Sequence, residues 1–158
     1  MRVLAIDPGY DRCGVAILER QKPGDVLVYS NCITTSARSP FVARLGEVGK
    51  GIESLIKKFK PSSLAIESLY FNTNQKTAMH VAETRGAIMY IATTSGLSVY
   101  EYTPPQVKSA VAGWGRADKK QMMAILPKLI RIDKKIQHDD EYDAIALGIT
   151  HLASVRHT

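Results

Sequence analysis

Cysteine is scarce: Cys13 and Cys32 are the only two in 158 residues, and they have no CxxC spacing. Both fall in apolar, strand-like stretches, which excludes a disulfide framework and predicts two thiols behaving as small hydrophobes in a reducing interior. Long apolar runs are missing too, since none approaches the roughly 20 residues of a membrane span. No basic region leads into a cleavable apolar segment at the start. These absences predict a cytoplasmic protein with no membrane partner. There is no internal repeat, low-complexity tract or long Gly/Ser/Pro linker, so residues 1–158 are expected to form one domain. Acid is the minority charge, 15 Asp and Glu against 21 Lys and Arg, giving +6 and a pI near 9.4. That balance tilts the chain toward polyanions once the charges have a location.

What is present begins with four consecutive apolar residues, Val3, Leu4, Ala5 and Ile6, running into Asp7, Pro8 and Gly9. Such a run suits a strand buried on both faces, and the Pro-Gly turn places Asp7 at its end. Gly14 with Val15, Ala16, Ile17 and Leu18 predicts a returning strand, and residues 26–35 a third. From Pro40 the period changes: Val42, Leu45, Val48, Ile52, Leu55, Ile56 and Phe59 recur at threes and fours. This predicts an amphipathic helix, with Ser39 as N-cap and Pro40 at its first position. Leu64, Ala65 and Ile66 form another buried strand ending on a carboxylate, Glu67. A helix is expected from a Thr77 cap to Thr94, a strand over 99–102, a short helix over 106–112 and a helix capped by Asp118. Pro127 should kink or split that helix. A final helix is expected from about Asp139 to Val155. The order βββαβαβααα predicts an α/β fold, a mixed five-stranded sheet flanked by helices.

Carboxylates carry the chemistry. Adjacent strands lie about 4.8 Å apart, so two acid-tipped strands can bring Asp7 and Glu67 to one ion. Asp140 and Asp143 are three apart on one helix face near its positive N-terminal end. Asp139 shares that face, so spacing alone leaves Asp139 and Asp140 both open. The uncharged run after Asp143 predicts an acid entering a buried face, where it wants a partner. Four carboxylates in one volume call for hard divalent cations with oxygen ligands. The arrangement predicts a two-metal phosphodiester site.

These residues, taken together, resemble the RuvC-type crossover junction endodeoxyribonucleases, Holliday junction resolvases of ribonuclease H-like fold. The resemblance is carried by IDPG with Gly14, by AIE followed by Tyr70 and Phe71, and by Asn74 with Thr77, Ala78, Arg85 and Gly86. It continues through PPQVK, GWGRADKKQ and DDEYDAIALGITH, covering nearly the whole chain. It implies Asp7, Glu67, Asp140 and Asp143 as catalytic acids and metal ligands, selecting Asp140 over Asp139. It also implies two Mg²⁺ per site, with Mn²⁺ as a substitute, and a homodimer in contact through the helix containing His80 and Ile91. The implied partners are four-way junction DNA and the RuvA and RuvB proteins. Lys108 and Lys119 match lysines placed near the scissile phosphate, while Arg116, Lys119 and Lys120 suit a phosphate-contacting loop. Asn74 belongs to the DNA-facing loop, where Tyr70 or Phe71 would stack on an unpaired base, Tyr70 holding the family's wedge position.

Three other readings compete. A YqgF-type nuclease of ribosomal RNA precursors shares the acid-tipped first strand but lacks the loop formed here by residues 113–119. A non-cleaving junction-binding module would have lost an acid, and none is missing. An actin-like ATPase needs a second copy of the fold, for which 158 residues leave no room.

Overall fold

The computed structural model describes residues 1–69 and 75–155, the side chain of Gln75 excepted. Three strands, β1 (Arg2–Asp7), β2 (Arg12–Glu19) and β3 (Val26–Thr34), precede α1 (Phe41–Phe59). Then follow β4 (Ser63–Glu67), α2 (Gln75–Thr94), β5 (Ser98–Tyr102), α3 (Pro104–Ala112), α4 (Lys119–Leu129) and α5 (Asp139–Ser154). The order is the one the sequence predicts. The strands form one five-stranded sheet in the order β3-β2-β1-β4-β5. The β1–β2 and β2–β3 pairs are antiparallel, and the β1–β4 and β4–β5 pairs are parallel.

Strand alternation divides the core in two. Leu4, Ile6, Val15, Ile17, Leu64 and Ile66 face α1 and α2, packing with Val48, Ile52, Ile88 and Ala92. Val3, Ala5, Ala16, Leu18 and Ala65 face the other way, toward α3, α4 and α5. Burying each of the large aliphatic side chains stabilises the fold by about 1.5–3 kcal/mol, which is why β1 and β4 read as continuous apolar runs.

The second face is lined by small residues, and α5 descends onto it. A Cβ at Gly14 would overlap the carbonyl oxygen of Asp140, and one at Gly148 would overlap the Leu18 side chain. Both glycines are therefore required by close approach, and that approach delivers the first turn of α5 to the Asp7 end of the sheet.

Three local expectations are corrected. Pro40, not Ser39, occupies the N-cap of α1, with ψ 149° and no side-chain cap, because Ser39 closes a turn back to Ser36. Helix α2 starts at Gln75, two residues before Thr77, since Gln and Lys continue a helix readily. Helix α4 is not split at Pro127: it runs unbroken to Leu129, so a ring placed near the C-terminal end removes a backbone donor without dividing the helix.

Candidate active site

Asp7 pairs with Gly14 across β1 and β2, and Ile6 pairs with Ile66 across β1 and β4. Asp7 and Glu67 lie two residues beyond Ala5 and Ala65, so both project to the α5 face. Asp7, Glu67, Lys108, Lys119 and Asp143 line a single recess of about 240 Å³, floored by Val107, Met122, Ala146 and Leu147. Strand ends, α3, the first residue of α4 and the first turns of α5 thus meet in one place. Thr103 forms a capping box with Gln106 that starts α3, and Asp118 forms one with Gln121 that starts α4. Asp118 is a cap, as expected, and its cap leaves Lys119 at the recess.

Charge at this mouth is unevenly compensated. Burial holds the Asp7 carboxyl well above the usual carboxylate range, and the charges of Glu67, Asp143 and Asp140 push it further, with Lys119 pulling the other way. Glu67 is raised by burial and then by Asp143, against the pull of Lys108. Asp143 is raised by burial against the pull of Lys119, although 48% of its side chain is exposed. The sequence-based picture of Asp143 entering a buried face is therefore corrected: the apolar run behind it is buried, and the carboxylate stands at the rim. Among the described residues Asp7 and Glu67 have no ion-pair partner within 4 Å, whereas the acids of α5 do. Lys119 pairs with Asp139 and lies 3.5 Å from Asp143. Arg12 Nε lies 3.0 Å from Asp140 Oδ2, an atom shielded from solvent and, among the described residues, without a partner in hydrogen-bonding geometry.

The donor set fits a hard divalent ion. All four acids offer oxygen, Asp7, Glu67 and Asp143 are each raised by neighbouring carboxylates, and the buried Asp140 Oδ2 has an ion-pair neighbour in Arg12 but no hydrogen bond among the described residues. Among the described residues no three His, Cys, Asp or Glu side chains are drawn together tightly enough to hold an ion as they stand. Asp7, Glu67 and Asp143 face a common recess with Lys108 and Lys119 among them, and Asp140 stands outside its lining, beside Arg12.

Of the other predicted residues, Arg116 and Lys120 are exposed and lie outside the recess lining. Tyr70, Phe71 and Asn74 lie outside the described residues. Neither His138, at the N-cap of α5 without a side-chain cap bond, nor His80, partly buried and stacked on Phe41, lines the recess. Two residues escaped the sequence reading. Arg12 carries no local signal beyond its nearness to Gly14, whose close contact with α5 brings it to Asp140. His151, on α5, carries no local signal for its partners; it is fully buried, its Nε2 2.9 Å from Ser63 Oγ and its Nδ1 2.9 Å from Tyr102 Oη.

A five-stranded mixed sheet with acids on neighbouring strand ends and on a helix laid across them defines a nuclease of ribonuclease H-like fold. The family model for crossover junction endodeoxyribonuclease RuvC matches residues 3–151. A RuvC of Caldanaerobacter subterraneus subsp. tengcongensis is 41% identical over 154 residues, 98% of this chain and 93% of that protein. One of Moorella thermoacetica is 41% identical over 152 residues, covering 96% and 90%. The structure of Thermus thermophilus RuvC in complex with a Holliday junction substrate superposes with a TM-score of 0.88 at 27% identity, covering 96% of this chain and 93% of that one. The yeast mitochondrial resolvase Ydc2, at 13% identity and a TM-score of 0.71, shares the fold. The chain belongs to the RuvC family of crossover junction endodeoxyribonucleases, and its function is that of a Holliday junction resolvase.

Proposed function

We propose that this chain, acting as one nuclease domain over residues 1–158, cuts a four-way DNA junction by hydrolysing two phosphodiester bonds symmetrically. The observation that carries the reading is the convergence of Asp7, Glu67 and Asp143 on one recess, their carboxyl groups each raised by burial and by neighbouring acids. Asp7, Glu67, Asp140 and Asp143 would hold two Mg²⁺, with Mn²⁺ as a substitute. Bound there, such ions would supply an activated water and charge to stabilise the leaving oxygen.

The rest is the work of the chain itself. Lys108 and Lys119, both lining the recess, orient the scissile phosphate by charge-assisted hydrogen bonds. Arg116 and Lys120 take flanking phosphates, and Asn74 with Tyr70 or Phe71 meets the unpaired bases at the junction centre. Two matched cuts need two sites, hence a homodimer. Helix α2 supports that pairing: Met79 and Tyr90 are 63% and 70% exposed, and Gly86 between them has open space where a second helix can approach. RuvA and RuvB are the partners the family resemblance supplies.

The test is cleavage of a labelled mobile four-way junction beside linear duplex and duplex RNA. Paired nicks confined to the junction are expected, lost in EDTA and at least ~10²-fold reduced in Asp7→Asn, more than the about 10–100-fold that losing an outer partner of an ion ligand costs. Tight binding without nicks would identify a non-cleaving module, and selective RNA cutting a ribosomal RNA nuclease.

A further inference from the structure

Arg12 opens β2, paired with Thr34 on β3, and Gly14 two residues on abuts the Asp140 backbone. The root of the Arg12 side chain is thus fixed against the first turn of α5. From it Nε reaches to 3.0 Å from Asp140 Oδ2, while Nη2 stands 3.9 Å from Asp139 Oδ1. Asp139 is shared by both cations, Lys119 also lies near Asp143, and Arg12 alone comes within ion-pair distance of Asp140 among the described residues. Asp140 is the more enclosed of that pair, its side chain 21% exposed against 49% for Arg12.

We infer that Arg12 is a positioning residue that serves as an internal counterion to Asp140, orienting its carboxylate and lowering the divalent-ion affinity of the DNA-free site. This rests on the reading of Asp140 as an ion ligand. The physical basis is direct. A guanidinium at ion-pair distance already neutralises part of the charge that would attract a dication, and it repels the dication while it stays. Its exposed half, which binds a phosphate as readily as a carboxylate, lets backbone phosphate draw it outward. The site is thereby set to fill when substrate is present and to stay sparsely occupied otherwise.

The experiment is titration of the full-length, DNA-free protein with Mn²⁺, reading free ion by electron paramagnetic resonance, for wild type, Arg12→Gln, Arg12→Lys and Asp140→Asn. Thermal unfolding of each variant in EDTA checks folding; Arg12 is half exposed, so both substitutions should be tolerated. Arg12→Gln is expected to bind Mn²⁺ up to about fivefold more tightly, the upper end for a partly exposed ion pair. Arg12→Lys should stay near wild type, and Asp140→Asn should bind more weakly. Unchanged or weaker binding in Arg12→Gln, with Asp140→Asn weakened, overturns the counterion role while leaving Asp140 a ligand. Unchanged binding in Asp140→Asn overturns the ligand reading itself, and the inference with it.

Discussion

At the scale of the residue, Asp7 shows a site whose demands oppose stability. Its carboxyl is held well above the ordinary range by burial and then by Glu67, Asp143 and Asp140. A carboxyl raised in the folded state binds its proton more tightly there than in the unfolded chain. Its ionised form therefore disfavours folding at neutral pH, and the loss is recovered as pH falls through the raised value. Removing the charge should do the same. Asp7→Asn is expected to raise the metal-free melting temperature at neutral pH by about 2–4 °C, equivalent to about 1 kcal/mol in a chain of this size. Adding Mg²⁺ should reverse the order, since an ion stabilises only the form that binds it. Calorimetric scans in EDTA and in Mg²⁺ check both halves, and a destabilised Asn variant in EDTA would contradict the account.

At the scale of the element, the site depends on how closely α5 lies on β1 and β2. Gly14 meets backbone, the Asp140 carbonyl, whereas Gly148 meets the end of the Leu18 side chain. A methyl group at the first position must push a helix back; at the second it must turn one buried side chain. Gly14→Ala is expected to destabilise the protein by about 2–3 kcal/mol, at the upper end for overpacking, and to reduce junction cleavage more than its stability loss explains. Gly148→Ala should cost less and keep its activity per folded molecule. Urea titrations beside cleavage rates distinguish the two, and equal activity in both variants would show that α5 tolerates displacement.

At the scale of the whole molecule, pH acts on two buried groups with opposite sign. His151 ties α5 to β4 and β5 through Ser63 and Tyr102, and burial, then the charge of Arg20, pushes its imidazole down to about 4. Between its ordinary value of 6.5 and about 4 the unfolded chain binds the extra proton, so the stability contributed by neutral His151 is complete above that window and lost as pH falls through it. The acid cluster gains stability over falling pH. Subtracting the pH–stability curve of His151→Gln from that of wild type separates them: the difference should shrink by at most about 3 kcal/mol between pH 6.5 and 4. A pH-independent difference would show that the imidazole is not held neutral.

Much of this was readable from local pattern. The element order, the acid-tipped ends of β1 and β4 and the Asp118 cap follow from apolar periodicity and turn chemistry, which act within a few residues. The sequence by itself therefore determined which residues carry carboxylates to the same end of the sheet, and the family to which they belong. Tertiary structure alone decided what surrounds them. Arg12 reaches Asp140 across 128 positions because Gly14 admits α5, Lys119 is turned toward Asp139 and Asp143 by a helix that starts 20 residues earlier, and His151 is drawn inside by hydroxyls on two strands. Such pairings are set by packing between distant segments, and no spacing within a single stretch encodes them.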